Sequence, residues 1–519
     1  MADGNCGLDY QDEAEAASRF ALRILATTDL HMHVLPFDYL ADRPNPGIGL
    51  ARTASLIACR GRNHPNTLLF DNGDFLQGSP LGDFVAYVDG VGPRKPHPAI
   101  AAMNAMGYDA ATLGNHDFSY GVGFLMRAIE GARFPFTLAN VCLSRHRAPP
   151  RSLILDREIE ALDGSRQTLR IGVIGLVPPQ TVEWDRQLHR DMACADIVEA
   201  AAAEVPLIRA AGADLVVALA HTGIGEAEAT PGMENAATAL AALPGIDAVI
   251  TGHTHQVFPD PLFPATPGVD PTRGALAGKP AVMAGFGGSH LGVIDLDLRR
   301  DAFGRWTIEG FSSRAEPVGP DIPAAAVISD AAKRHHAATR RHLRRRIARS
   351  RSAMTSFFSL IGDDPGLHLV AKAQRWHVRR ALRDTEWAKL PILSASAPFR
   401  AGGRGGPDHY TCVAAGRLTE RNLADLYLFP NRICAVEMRG ADLIAWLERS
   451  ASIFRRITPG QTDAPLIDDA FPSYNFDVID GLTWEIDLSQ PPPCRFWRVD
   501  RRGQPSHRQC APPRRPNRG

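Results

Sequence analysis

Apolar runs along the first part of the chain end abruptly in polar, ligand-type side chains. Leu22, Ile24 and Leu25 give way to Thr27 and Thr28, then Asp29-Leu30-His31. Residues 66–70 run into Asp71-Asn72-Gly73-Asp74, and residues 108–113 into Gly114-Asn115-His116-Asp117. Residues 214–220 stop at His221, and residues 246–250 at Gly252-His253-Thr254-His255. Each run has the length and composition of a buried strand. Residues 169–177 form a further apolar run, halted by Pro178 and Pro179, and residues 280–298 read as two strands around a Gly-rich turn. Between them, residues 99–106 read as a helix, and 193–211 as an Ala-rich helix that Pro206 should interrupt or kink. This alternation predicts α/β layers.

Downstream the pattern changes. Residues 322–349 read as one long basic helix with seven Lys and Arg between Lys333 and Arg346, and no interleaved aromatics. That favours a solvated linker over a nucleic-acid patch. A second domain follows. From Pro491 the chain is Arg- and Pro-rich with almost no apolar periodicity, a composition that cannot easily bury a core. The expected organisation is therefore an extension over 1–20, a first domain over 21–318, a linker helix over 319–351, a second domain over 352–490 and a disordered tail over 491–519.

Length and charge narrow the functional classes. The 519 residues suffice for more than one domain, and 45% apolar content is that of a soluble globular chain. Basic and acidic residues balance at 57 each, so no net field draws the chain to nucleic acid or an anionic membrane. The eight cysteines form no C-x-x-C pair, which argues against a zinc ribbon or a thioredoxin-like motif. The acidic N-terminus lacks a secretory signal, and no stretch is apolar enough to span a bilayer. The expectation is a cytoplasmic monomer acting on a small molecule, with no nucleic-acid or membrane partner.

The strand-end residues carry the chemistry. Asp29, His31, Asp74, Asn115, His221, His253 and His255 are seven metal-competent side chains at five strand ends. In open α/β sheets, sites gather beyond the carboxyl ends of strands. Seven ligands exceed one tetrahedral ion but suit two ions sharing a carboxylate. Such a pair polarises a phosphate ester and lowers the pKa of a shared water. His116, beside Asn115, is placed for general-acid work, with Asp117 next to it as a second catalytic candidate. Taken singly, each has a plainer reading: a turn at Gly73-Asp74, a helix cap at Asn115, a core histidine at His221.

In this order, D-x-H, GD, GNHD, H and G-H-x-H resemble the calcineurin-like metallophosphoesterases. TTDLHMH, DNGDFLQGSPLGD, HPAIAAMNAMGYDAATLGNHDFSYG and AGFGGSHLG resemble, more narrowly, the bacterial 2′,3′-cyclic-nucleotide 2′-phosphodiesterase/3′-nucleotidases. So do LSASAPFRAGGR, LTERNLADLYLFPN and YNFDVIDGLTWEID in the second domain. The resemblance spans about residues 22–490. It implies a four-layer αββα metallophosphoesterase domain, a hinge-like linker helix and an α/β nucleotidase C-terminal domain. It also implies that Asp29, His31 and His255 hold one divalent ion, that Asn115, His221 and His253 hold another, and that Asp74 bridges. Manganese, cobalt, zinc and iron all suit these ligands. Phe429 would stack on the base, with Arg400 and Arg404 near the substrate. The implied reaction opens a 2′,3′-cyclic nucleotide to the 3′-nucleotide, then releases phosphate.

Three features depart from the pattern. Ser119 stands where related 5′-nucleotidases place an Asp that supports the catalytic His. Relatives are usually exported to the periplasm, and this N-terminus shows no signal. The resemblance stops near Gln490, which makes the C-terminal domain incomplete, as if truncated or read out of frame. Alternatives are a 5′-nucleotidase or nucleotide-sugar hydrolase, an RNA-binding protein using the basic segments, and an inactive truncated relic.

Overall fold

The structure is a computed structural model that describes residues 18–92, 95–403, 406, 409–429, 431–468 and 471–491. The chain divides into two units, one ending at Arg341 and the other beginning at His342.

Ten strands frame the first unit: β1 (Arg19–Thr27), β2 (Thr67–Asp71), β3 (Ala110–Ala111), β4 (Ser152–Glu160), β5 (Arg166–Leu176), β6 (Leu215–Ala220), β7 (Ala248–Thr251), β8 (Lys279–Ala284), β9 (His290–Arg300) and β10 (Trp306–Pro317). One sheet has the order β10-β9-β1-β2-β3. In the other, β8-β7-β6-β5-β4 is extended beyond β8 by short strands. β1, β2 and β3 run parallel, as do β5, β6, β7 and β8. The remaining pairs, β1 with β9, β9 with β10 and β4 with β5, are antiparallel.

Side chains alternate across a strand, so a strand buried on both faces reads as a continuous apolar run. Leu215, Val217 and Leu219 of β6 face the other sheet, packing in one core with Leu22, Ile24 and Phe70. Val216, Ala218 and Ala220 face the opposite way, into a second core with Ile197, Val205 and Leu240. Those three come from the helices Ile197–Ala210 and Ala237–Ala242. The helix Leu50–Gly61 packs on β9, outside the first sheet. The unit is therefore a helix–sheet–sheet–helix sandwich.

Several expected boundaries move. Arg19 and Phe20, assigned to an N-terminal extension, belong to β1, because Phe20 is buried between the sheets against Trp306. Of 108–113 only Ala110–Ala111 is strand. The Ala-rich helix begins at Ile197, capped by the Asp196 carboxylate on Glu199 N at 2.9 Å, while Met192–Cys194 pairs with Val141–Leu143. Pro206 lies inside that helix without ending it. Pro206 and Ala202 are both exposed, so the carbonyl that loses its partner faces water. The basic helix is shorter than expected, Ala326–Leu343, because Arg346–Ser350 pairs as a strand with Gly416–Thr419. It lies on the first unit through Tyr39–His336 and Arg340–Asp42.

The second unit is built from smaller pieces. Its helix Pro365–Ala381 is capped by Asp364, which accepts from Gly366 N at 2.6 Å. Among the described residues its strands pair only in twos. Its apolar clusters are small, one around Met354, Val413 and Leu418 and another around Ile453, Phe454 and Phe476. The tail from residue 492 lies outside the described residues.

Candidate metal centre

The parallel strands deliver their carboxyl ends to one edge of the two-sheet core. β1 leads into Asp29 and His31, β2 into Asp74, β3 into Asn115, β6 into His221, and β7 into His253 and His255. All seven residues are tied together by distances of 2.8–3.9 Å. His221 Nε2 is 3.1 Å from Asp74 Oδ2 and 3.8 Å from Asp29 Oδ1. His31 Nε2 is 3.7 Å from Asp29 Oδ1 and 3.9 Å from Asp74 Oδ2. His255 Nε2 lies 2.8 Å from His31 Nε2 and 3.5 Å from Asp29 Oδ1. His253 joins through its backbone N, 3.1 Å from Asp29 Oδ2, and sets its Nδ1 2.9 Å from Asn115 Oδ1. Asp29, His31 and His255 form one ligand cluster, and Asp29, Asp74 and His221 a second.

The backbone is bent to make this possible. Asp29 (φ 50°), His31 (φ 44°), Asp74 (φ 59°), His253 (φ 70°) and His255 (φ 59°) all adopt the left-handed region that side-chain-bearing residues avoid. Such strain persists only where the surroundings over-determine it. Here Asp117 is one determinant. Its buried carboxylate accepts from Asp74 N (2.8 Å), Phe75 N (2.9 Å), Leu76 N (2.9 Å) and Gly114 N (2.9 Å). Close approach is another: a Cβ on Gly114 would collide with the Asp74 carboxylate and lie 2.6 Å from His221 Cε1.

Two histidines have their tautomers set from behind. His31 Nδ1 donates to Gln77 O at 2.7 Å, and His221 Nδ1 to Asn72 O at 2.8 Å. Each Nε2 then offers a lone pair to carboxylates that also only accept. Asp74 Oδ2 and His221 Nε2 are buried with no hydrogen-bond partner. Facing acceptors need a cation between them, and a backbone carbonyl behind the imidazole is the usual support of a metal-bound histidine. Without a metal the cation must be a proton. Burial pulls His221 down, but Asp74 and then Asp29 overcome it and push the imidazole up to about 10. Asp29 is raised by burial, yet His221, His31 and His255 together hold it down at about 2. Oxygen and imidazole donors in this arrangement fit divalent cations of the manganese-to-zinc group.

His116 sits on the rim, its ring 5.3 Å from that of His31, with its backbone N on Asp74 Oδ1 at 2.7 Å. Burial, reinforced by His31, His253 and His221 against Asp74, lowers it to about 4. The Ser119 backbone N–H donates to the His116 carbonyl. In the second unit, Phe429 packs against Phe399 at 5.2 Å, and the Arg400 guanidinium is ion-paired with Asp425. Arg404 lies outside the described residues. Sequence reasoning missed the supports: Asn72 and Gln77, which act through backbone carbonyls, and three side chains at the mouth. Trp184 stacks on His253 (5.4 Å, 17°), Phe286 on His255 (5.1 Å, 21°), and Glu234 Oε1 is 3.0 Å from His253 Nε2. Phe286 lies in the Gly-rich segment already singled out; the loops of Trp184 and Glu234 carry no periodic signal.

Carboxylates and imidazoles converging at strand ends of a two-sheet sandwich define a metallophosphoesterase. The family model described as calcineurin-like phosphoesterase matches residues 22–257, and that of the 5′-nucleotidase C-terminal domain matches residues 347–508. The second match runs past Gln490, where the resemblance read from sequence had stopped. The chain is 42% identical over 491 residues to the 2′,3′-cyclic-nucleotide 2′-phosphodiesterase/3′-nucleotidase of Salmonella typhimurium, covering 92% of this chain and 75% of that protein. It is 41% identical over 488 residues to the trifunctional nucleotide phosphoesterase YfkN of Bacillus subtilis, covering 92% of this chain and 33% of that protein. The YfkN crystal structure superposes with a TM-score of 0.60 at 38% identity, covering 63% of this chain and 100% of that one. The 5′-nucleotidase precursor of Thermus thermophilus shares the fold, with a TM-score of 0.60 at 20% identity over 95% of this chain and 87% of that one. The chain belongs to the family of the 2′,3′-cyclic-nucleotide 2′-phosphodiesterase/3′-nucleotidases.

Proposed function

We propose that this chain hydrolyses 2′,3′-cyclic nucleotides to 3′-nucleotides, and 3′-nucleotides to nucleoside and phosphate, using two divalent ions. The observation that carries the reading is the partnerless pair Asp74 Oδ2 and His221 Nε2, buried among further candidate ligands from the other three strand ends. The names of relatives such as the Salmonella protein supply the substrate class. Asp29, His31 and His255 would hold one ion, Asn115, His221 and His253 the other, and Asp74 both. Bound there, the ions would polarise the phosphate ester and make water nucleophilic near neutral pH.

In the first step water adds to phosphorus, the bond from phosphorus to O2′ breaks, and O2′ takes a proton. In the second the bond to O3′ breaks in the same way. His116 is the residue placed to give that proton. Burial lowers its pKa to about 4 in the free protein, so the negative charge of the bound phosphate is what would load it. Asp117 acts by positioning, since four backbone N–H groups occupy its carboxylate. In the domain reading, 21–318 carries the chemistry, 319–351 links, and 352–490 binds the nucleoside through Phe429, with Arg400 and Arg404 nearby. The substrate is a small free nucleotide and the chain acts as a monomer, without nucleic-acid or membrane partners.

The test is metal content and turnover of purified protein on 2′,3′-cyclic AMP, 3′-AMP and 5′-AMP, beside Asp74→Ala. Manganese- or cobalt-dependent release of 3′-AMP and then adenosine, lost in the variant, is the expected result. Preference for 5′-AMP, or metal-independent turnover, overturns it.

A further inference from the structure

Both ring nitrogens of His253 have partners, and one of those partners lies outside the candidate ligand set. Its Nε2 is 3.0 Å from Glu234 Oε1, and its Nδ1 is 2.9 Å from Asn115 Oδ1. A neutral imidazole carries one N–H and one lone pair. A carboxylate at Nε2 draws the hydrogen there, which leaves the lone pair on Nδ1, facing the Asn115 oxygen. The opposite tautomer would give Nδ1–H to Asn115 and set the Nε2 lone pair against the Glu234 carboxylate. We propose that Glu234 is a positioning residue for the second metal ion, holding His253 in the tautomer and orientation that present Nδ1 beside Asn115 Oδ1. This rests on the two-ion reading above.

The carrier of Glu234 is built for that task. Thr222, next to the ligand His221, donates its hydroxyl to the Glu234 carbonyl and accepts at the same oxygen from Ala236 N at 2.9 Å. Ala237 N closes the loop onto Gly223 O at 3.1 Å. A Cβ on Gly223 would lie 2.5 Å from Thr254 Cγ2, and one on Gly225 3.1 Å from Asn235 Cβ. The loop is therefore packed directly against the ligand-bearing segments. Trp184 covers the face of the His253 ring, so the imidazole cannot swing while its Nε2 is held. The side chain of Glu234 is 45% exposed and that of His253 11%. The carboxylate is thus anchored to the ligand at one end while open to water, and it contributes little to the core. Outer-shell carboxylates of this kind fix ligand orientation, and their loss typically weakens metal affinity about 10–100-fold.

The experiment is calorimetric titration of metal-stripped full-length protein with Mn²⁺, for wild type, Glu234→Ala and Glu234→Gln, with thermal unfolding recorded for each. In wild type two ions bind. In Glu234→Ala one of the two sites loses about 10–100-fold in affinity, the other site and the metal-free unfolding midpoint staying as in wild type. Glu234→Gln, which keeps an oxygen for Nε2–H, recovers most of the loss. Nitrogen chemical shifts of His253 in metal-free Glu234→Gln and wild type report the Nε2–H tautomer; in Glu234→Ala that preference is gone. Unchanged binding of both ions by Glu234→Ala, equal loss at both sites, or an Nδ1–H tautomer in wild type overturns the role of Glu234 alone. A wild type that binds fewer than two ions overturns the two-ion reading as well.

Discussion

Asp29, Asp74 and His221 are closed off from solvent, with side chains 0–1% exposed, whereas His255, at 40%, stands at the mouth of the same site. The two halves are held by different physics. The closed half is fixed by backbone groups: four N–H groups gathered by the Asp117 carboxylate, and carbonyls behind two imidazoles. The open half is fixed by side chains: Trp184 over His253, Phe286 over His255, Glu234 at His253 Nε2. Buried charge is costly unless every partner is in place, so the closed half tolerates almost no change. The open half orients its side chains by weaker contacts and stands closer to solvent.

The sharpest way to break this contrast is Asp74→Ala. It removes the carboxylate proposed to hold both ions, and we expect turnover to fall by more than the about 10–100-fold typical of outer-shell changes, with both ions lost by elemental analysis. Asp117→Ala comes next. It touches no ligand side chain, yet four buried N–H groups lose their acceptor, and unfolding experiments should show a loss of about 3–5 kcal/mol.

Asp83, in the helix Pro80–Phe84, gives a pH-dependent probe of the same unit. Burial pushes its carboxyl up to about 6, although the Tyr120 hydroxyl at 2.7 Å pulls the other way. The folded state then binds that proton more tightly than the unfolded state does. Its contribution to stability is present below the unfolded value near 4 and is lost as pH rises through about 6. Asp83→Asn should therefore match wild type near pH 4 and exceed it by about 1–3 kcal/mol above pH 7. Denaturation followed across pH 4–8 checks the sign; a constant difference contradicts it. The smallest effect belongs to the open half. Trp184→Ala removes one ring contact worth about 0.5–1.5 kcal/mol, so second-ion affinity should drop only about two- to tenfold with the closed half intact. A loss as large as that from Asp74→Ala would erase the distinction between the halves.

Much of this was legible without coordinates. Strands buried on both faces must be apolar throughout, so 169–177 and 214–220 announce themselves, and a ligand that ends such a run can only lie at a sheet edge. All seven metal-ligand candidates were therefore readable in linear order, as was the helix–sheet alternation. What tertiary structure alone decided was every partnership across the chain. That the Asp117 carboxylate collects backbone N–H groups, that Arg400 is occupied by Asp425, and that Trp184 and Glu234 address His253 all depend on residues far apart in sequence. Local pattern records which face a side chain takes, because backbone geometry sets that residue by residue. It holds no record of which distant group meets that side chain, because packing of whole layers sets that.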